Sequence, residues 1–175
     1  ALSYTWGSEE DLLEINVFGS GNATSRDVTH LSVTRNLAGA LRHLRANRPM
    51  YLWIDALYIN QKDDAEKSIQ VANMSGIYSN VDNVIVWLGT EDAASMEGFH
   101  YFRYRGMSVE VDFRTGELHK VTGAWDTDFA DMNIVLLVRS GQWKAIRALI
   151  NRPWFSRLWI HQEIALARRA TVILG

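Results

Sequence analysis

The carboxylate of Glu163 ends a segment rich in aromatic and basic residues, Arg152–Glu163. An unpaired charge is costly to bury in such surroundings, so this acid either has a specific partner or faces a cleft. Arg152 and Arg157 are the basic residues that could pair with it. Trp159 precedes Glu163 by four residues, so the two share one face if the segment is helical. A carboxylate beside aromatic walls suits glycosidic chemistry, where it stabilises an oxocarbenium-like centre or positions a ribose hydroxyl.

A second acid, Asp55, lies inside the apolar run Tyr51–Leu57. We expect this run to form a buried strand, in which Asp55 needs hydrogen-bond donors. Two interpretations stay open for it: an acid that holds loop amides, or a group that faces a ligand. Asn60 and Gln61 follow in the next loop, where their amides either contact a ligand or form an ordinary turn.

Aromatic residues also mark the first segment, where Trp6 precedes Gly7. Glycine allows a tight turn here, which leaves Trp6 at the end of a strand. Trp6 then either covers the core or forms an aromatic wall for a flat ligand.

The sequence lacks the motifs of several common kinds of functional site. The chain has no cysteine, which excludes disulfides and thiol catalysis, and its five histidines show no metal-ligand spacing. No glycine-rich phosphate loop and no nucleophilic-serine elbow is present. The net charge of −2 includes no basic surplus for nucleic acid, and no apolar run reaches the ~20 residues of a membrane span. We therefore expect no metal, nucleic-acid partner or membrane span, and a cytoplasmic location.

The elements that position these residues follow from apolar patterning. Strands are predicted at Ala1–Trp6, Glu14–Phe18, Val28–Val33, Tyr51–Leu57, Asn83–Leu88 and Ala170–Leu174. Helices are predicted after an N-cap at Thr34, after a capping box of Asp63 and Glu66, and around Phe99–Arg105 and Trp143–Ile150. This alternation predicts an α/β fold with a mostly parallel central sheet flanked by helices. The loops after Trp6, Leu57 and Leu88 should then line one rim, where such sheets bind ligands.

Two further expectations concern packing and extent. The helix after Asp63 should pack through Ile69, Ala72 and Gly76, with a face widened by Val71, Met74 and Tyr78. With 175 residues, 47% of them hydrophobic, the chain fits one domain. The weaker pattern of residues 90–140 is interpreted as an insertion, with a small hairpin near Thr115-Gly116. The apolar start at Ala1 indicates a fragment, 1–175, of a longer protein.

Together these segments resemble the fungal heterokaryon incompatibility (HET) domain. The residues that carry the resemblance are Leu2–Gly7, Leu52–Gln61, Glu66, Gln70, Met74, Ile77-Tyr78, Val86–Gly89, Arg152–Phe155, Arg157, Trp159 and Gln162-Glu163. They cover nearly the whole chain outside 90–140, with one departure at Tyr58, where the family usually has cysteine. The resemblance implies a module that triggers cell death when incompatible fungal strains fuse.

The HET family is in turn similar to Toll/interleukin-1 receptor (TIR) domains, which implies a flavodoxin-like, TIR-like fold. Trp159 and Glu163 match the Trp-Cys-x-x-Glu pattern of TIR domains, with Ile160 in place of cysteine. The resemblance implies NAD hydrolysis after self-association, with Glu163 and Asp55 as catalytic residues. NAD would be a substrate, without any tightly bound cofactor. The ligand-binding residues would be Tyr4, Trp6, Gly7, Asn60, Gln61, Arg157 and Trp159.

The alternative is a non-enzymatic signalling module, which acts by self-association or through other domains of the parent protein. The surroundings of Glu163 distinguish the two interpretations. A Glu163 locked in a buried salt bridge favours the module, whereas a Glu163 open to a pocket with Trp6 and Asp55 favours the enzyme.

Overall fold

A computed structural model describes residues 1–19, 28–45, 50–112, 114–124, 126, 128–131, 133 and 138–175 of the chain. It contains two compact units, one of residues 1–90 with 153–175 and one of residues 91–152. The predicted insertion at 90–140 corresponds to most of the second unit, apart from residue 90, which belongs to the first. The assignment of 1–175 to a single domain stays a prediction. No helix among the described residues is long and apolar enough to cross a membrane.

The first unit is built on a parallel three-stranded sheet. Its strands are β1 (Leu2–Tyr4), β4 (Val84–Trp87) and β7 (Ala170–Ile173), in the order β1-β4-β7. The central strand β4 pairs Ile85 with Leu2 on one side and with Thr171 on the other, and all four of its residues are buried. A short apolar run without alternation is typical of a strand covered on both faces. The predicted α/β fold with a parallel sheet flanked by helices is confirmed.

A hairpin and a helix follow β1. The strands β2 (Leu12–Phe18) and β3 (Val28–Thr34) pair antiparallel, and α1 (Arg35–Arg45) begins directly after them. The Thr34 hydroxyl accepts the N–H of Leu37 at 3.4 Å, which confirms the predicted N-cap. The buried face of α1 completes the core against the sheet; it consists of Leu37, Ala38, Ala40 and Leu44.

The predicted strand at Tyr51–Leu57 is wrong. Residues 51–54 have no regular structure, and the short helix α2 occupies Asp55–Tyr58. The N–H of Leu2 donates to the carbonyl of Trp53 at 2.9 Å, so the segment passes beside β1 without forming a ladder. The Asp55 carboxylate accepts the N–H of Ala56 at 2.7 Å, and this local bond favours a turn over a strand.

Helix α3 runs from Asp64 to Asn80 and begins at the predicted cap. Asp63 accepts the N–H groups of Ala65 and Glu66, both at 3.0 Å. The second bond of a capping box, from the Asp63 N–H to the Glu66 carboxylate, does not form in this described segment. The Glu66 carboxylate accepts the N–H of Asn60 instead, at 3.4 Å.

The packing face of α3 differs from the predicted one. Ile69, Ala72 and Gly76 are exposed, whereas Met74 and Tyr78, expected only at the margin of the face, are buried. The helix packs against α6 (Ile160–Ala165), which fixes the side that is covered. Trp53 adds an edge-to-face contact with Tyr78, with ring centroids 5.8 Å apart.

The second unit pairs two helices with a small hairpin. Its elements are α4 (Ala93–Gly106), β5 (Val109–Asp112), β6 (Glu117–Lys120), a 3₁₀ turn (Asp128–Ala130) and α5 (Ser140–Ile150). The predicted hairpin and both predicted helices are confirmed. Nη2 of Arg152 lies 2.6 Å from a carboxylate oxygen of Asp92, so the two ends of this unit meet. Bonds from Ser95, with Arg152 in support, lower the pKa of Asp92 to about 2.

Helices α4 and α5 approach most closely at Gly98, and this contact yields the first prediction. A Cβ at Gly98 would lie 2.4 Å from the carbonyl oxygen of Ala145. We expect Gly98→Ala to lower the free energy of unfolding by about 1–3 kcal/mol, because backbone would have to shift. The matched control is Gly141→Ala on α5, where a Cβ meets nothing within 4 Å; it should stabilise by about 0.5–1 kcal/mol. Urea unfolding of both variants measures the difference, and equal effects would contradict the close approach.

Candidate functional site

Glu163 is buried within a chain of hydrogen bonds that joins β1 to α6. Its side chain is only 1% exposed. One carboxylate oxygen accepts the hydroxyl of Ser3, and the other lies 3.3 Å from Nη2 of Arg157. The Ser3 oxygen in turn accepts the indole N–H of Trp154 at 2.8 Å. The partner of this acid is therefore Arg157, whereas Arg152 pairs with Asp92.

The charges around Glu163 act in opposite directions. Burial raises the pKa of its carboxyl group, while the Ser3 hydroxyl and the Arg157 guanidinium lower it and the Asp55 carboxylate adds a smaller upward effect. The net pKa lies above the usual value of 4.5. Desolvation is thus only partly offset by the ion pair.

Asp55 is held in a similar way, but at the edge of a cavity. It is 8% exposed and accepts the indole N–H of Trp6 at 2.9 Å, in addition to the N–H of Ala56. Burial raises the pKa of Asp55, and these donors, together with Arg157 and Tyr4, oppose the rise. Burial and the neighbouring Asp55 raise the pKa of Tyr4 far above its usual value, so its hydroxyl stays neutral.

A cavity of about 420 Å³ opens beside Asp55. This volume falls within the range of about 300–1,000 Å³ that is usual for small-molecule sites. Six of the residues predicted from the sequence line it: Trp6, Gly7, Asp55, Gln61, Arg157 and Trp159. Apolar side chains, among them Met74 and Val71 of α3, cover much of the remaining wall, and Lys67 contributes a second cation.

Backbone geometry explains why two of these residues face the cavity. Gly7 has a φ of +85°, a conformation that side chains rarely adopt, and this turn carries the chain away from β1 just after Trp6. Trp159 directly precedes α6, and its side chain stays 46% exposed. Both tryptophans contribute flat aromatic surface to the cavity lining.

The other predicted residues are not part of the cavity lining. The Glu163 N–H donates to the Trp159 carbonyl at 3.1 Å, which is the helical spacing expected for the two, but the Glu163 side chain is buried and does not line the cavity. Tyr4 is buried beneath Asp55. Asn60 forms a turn, in which its side-chain oxygen accepts the N–H of Lys62 at 3.1 Å. The expected third loop, after Leu88, does not contribute to the cavity wall that the described residues form.

Sequence reasoning missed three residues of this site. Ser3 and Trp154 stood in segments already singled out, but no pattern indicated that they hold Glu163. Lys67 lies on α3 one turn before Val71, so the two residues share a face of the helix. Because Val71 was already expected to pack, this spacing could have indicated that Lys67 lies near the same cavity. Within the described ranges, no three histidine or acidic side chains are grouped to hold a metal ion.

The fold and the cavity define a class of small α/β domain in which a buried acid pairs with an arginine of the cavity lining. The family described as Heterokaryon incompatibility protein (HET) matches residues 1–163, and the chain belongs to this family. It is 33% identical, over 186 residues, to Heterokaryon incompatibility protein 6, OR allele, of Neurospora crassa. That match covers 95% of this chain and 27% of the relative, so the chain spans about a quarter of the relative's length. No solved structure matches, and the TIR-like fold stays a prediction.

The buried pair yields a prediction on stability. Glu163→Ala leaves Arg157 and the Ser3 hydroxyl without their acceptor, so we expect the free energy of unfolding to fall by about 3–5 kcal/mol. Glu163→Gln keeps the size and one acceptor, and the expected loss is about 1–2 kcal/mol. The control Glu10→Ala removes an exposed carboxylate and should change stability by less than about 0.5 kcal/mol. Denaturant unfolding followed by tryptophan fluorescence separates the three; an equal effect of Glu163→Ala and Glu10→Ala would refute the pairing.

The raised pKa of Glu163 yields a prediction on pH. The folded chain holds this proton more tightly than the unfolded chain, so the contribution to stability is complete below pH 4.5 and is lost as pH rises through the folded pKa. As the pH rises through this range, the wild type should therefore lose stability relative to Glu163→Gln. Parallel titrations of both proteins from about pH 4 to about pH 8 measure it. A difference that grows in favour of the wild type with pH would show that the pKa is lowered.

Proposed function

We propose that this domain acts in heterokaryon incompatibility, where it induces the death of cells formed by fusion of incompatible strains. Support comes from the family match over residues 1–163 and from the similarity to a Neurospora crassa protein named for heterokaryon incompatibility. The cell-death step follows from the resemblance to the family. Self-association, or contact with other domains of a longer protein, would trigger it.

The molecular action that the geometry supports best is the binding of a nucleotide, and NAD is the ligand that we propose. The observation that carries this proposal is the cavity at which Trp6, Trp159, Asp55 and Arg157 meet. Aromatic side chains stack on the flat rings of a nucleotide, and a guanidinium attracts its phosphates. A carboxylate in the same wall suits the ribose, because it can accept a hydrogen bond from a ribose hydroxyl or stabilise a developing positive charge.

Hydrolysis at this site would assign different roles to the two acids. The bond between nicotinamide and ribose breaks, nicotinamide leaves with the bonding electrons, and water adds to the ribose carbon and loses a proton. Asp55 is the carboxylate at the cavity and would stabilise the oxocarbenium-like centre in its ionised form. Glu163 is enclosed and bound on both sides, so it acts as a positioning residue for Arg157. This role differs from the catalytic one that the TIR pattern implies.

A non-enzymatic signalling module is the second candidate, and the burial of Glu163 favours it. A carboxylate that is 1% exposed and ion-paired contributes to the framework without touching a substrate. In such a module the domain would induce death by binding partners, and the chemistry of the cavity would be irrelevant.

The enzymatic proposal is tested by incubating the self-associated chain with NAD and measuring nicotinamide release. Asp55→Asn should lower the rate by about 100-fold, because the group at the reacting centre loses its charge. Glu163→Gln should lower it less, by about tenfold, through a less well-placed Arg157. The matched control is Asp64→Asn, which removes an exposed acid at the start of α3 and should leave the rate unchanged.

The outcomes separate the two candidates. No nicotinamide release from a folded, self-associated wild type would sink the enzymatic proposal and leave the signalling module. Expression in fungal cells provides the second readout. Equal killing by the wild type, Asp55→Asn and Glu163→Gln, at equal protein levels, would support the module. Loss of killing in Asp55→Asn alone would support the enzyme.

A further inference from the structure

Two cations from different elements line the cavity. Arg157 precedes α6, and Lys67 lies on the first turns of α3. The Lys67 ammonium forms no ion pair with any described residue. Its long side chain is exposed and can move its charge towards the cavity. The proposed function, which assigns Arg157 and the aromatic residues to the ligand, leaves Lys67 unused.

The charge of Arg157 is incompletely compensated within the protein. Nη2 bonds to Glu163 at 3.3 Å, but Nη1 is enclosed without any hydrogen-bond partner in the described part of the chain. A guanidinium has five donors, and one distant carboxylate oxygen satisfies only a small part of them. The Asp55 carboxylate is the other acid at the cavity, and it is already bound to Trp6 and Ala56. The cavity lining therefore contains two cations and one carboxylate, and Nη1 of Arg157 has no hydrogen-bond partner among the described residues.

The neutral part of the lining strengthens the attraction of these two cations for an anion. Ile59, Val71 and Met74 contribute apolar wall, and the exposed area of the cavity is mostly carbon. Charges interact more strongly where such walls exclude water, so an anion gains more here than on an open surface. A terminal phosphate carries about 1.5–2 negative charges near neutral pH and presents three acceptor oxygens, which matches two cations better than a carboxylate does. The diphosphate of NAD is likewise anionic and can contact both cations.

We propose that Lys67 and Arg157 form an anion subsite of this cavity, which takes a phosphoryl group of the ligand. The inference rests on the proposed function in that the ligand is a nucleotide. The subsite adds a specificity for the ligand, because the cavity would bind nucleotides more tightly than nucleosides. Lys67 is then a binding residue, while Glu163 sets the position of the Arg157 guanidinium.

The test compares two ligands that differ by one phosphate, nicotinamide mononucleotide and nicotinamide riboside, in equilibrium titrations of the chain. The mononucleotide should bind at least about tenfold more tightly. Lys67→Gln should weaken its binding by about fivefold and leave the riboside unchanged. The matched control is Lys62→Gln, an exposed lysine outside the cavity lining, which should bind both ligands as the wild type does. Neither lysine has an ion pair with a described residue, so both variants should fold.

Titrations of NAD and of inorganic pyrophosphate separate this inference from the proposed function. Pyrophosphate binding that Lys67→Gln weakens and Lys62→Gln preserves supports the subsite, whether or not NAD binds. Equal affinity of mononucleotide and riboside, or an equal effect of the two lysine variants, overturns the subsite, even where NAD still binds in the cavity. Absence of both pyrophosphate and mononucleotide binding also overturns it. Absence of NAD binding alone overturns NAD as the ligand and leaves the phosphoryl subsite.

Discussion

The ion pair between Glu163 and Arg157 is the constraint on which the site depends. Each of two buried ions costs several kcal/mol of solvation, which their attraction offsets only when further hydrogen bonds complete the geometry. Ser3 supplies such a bond from β1, 160 residues away in sequence, and Trp154 fixes the Ser3 hydroxyl. The first strand and the last helix are thereby joined at one point. The position of the Arg157 guanidinium, and with it one wall of the cavity, follows from this junction.

The sequence predicted most elements of the first unit, because their signals are local. The run Val84–Trp87 is apolar without alternation, and a buried strand in a parallel sheet requires this pattern. The run Tyr51–Leu57 has a similar composition, but a bond from Ala56 to the Asp55 carboxylate starts a helical turn. On α3, the spacing of the apolar residues predicted two overlapping packing faces. The choice between them depends on the position of α6, which local sequence does not encode.

The lining of the cavity was more predictable than its chemistry. Trp6 lines the cavity because it follows the carboxyl end of β1. Gln61 lines the cavity too, although the helix α2 stands where a strand was expected before it. The direction of the Glu163 side chain could not be predicted, because two arginines stood at suitable distances and only tertiary packing selects one. Ser3 was missed for a related reason: a serine on a strand has no sequence feature that distinguishes a buried donor from a surface hydroxyl.

The ion pair of Asp92 with Arg152 has a consequence for the segment that it closes. It brings together two residues that are 60 positions apart, so the segment between them leaves and returns at one place. The distance between the two ends of the segment is therefore set by this ion pair. Domain insertions are tolerated where termini lie close together. A change of length between Asp92 and Arg152 that preserves this ion pair therefore leaves unchanged the span that the flanking chain must bridge.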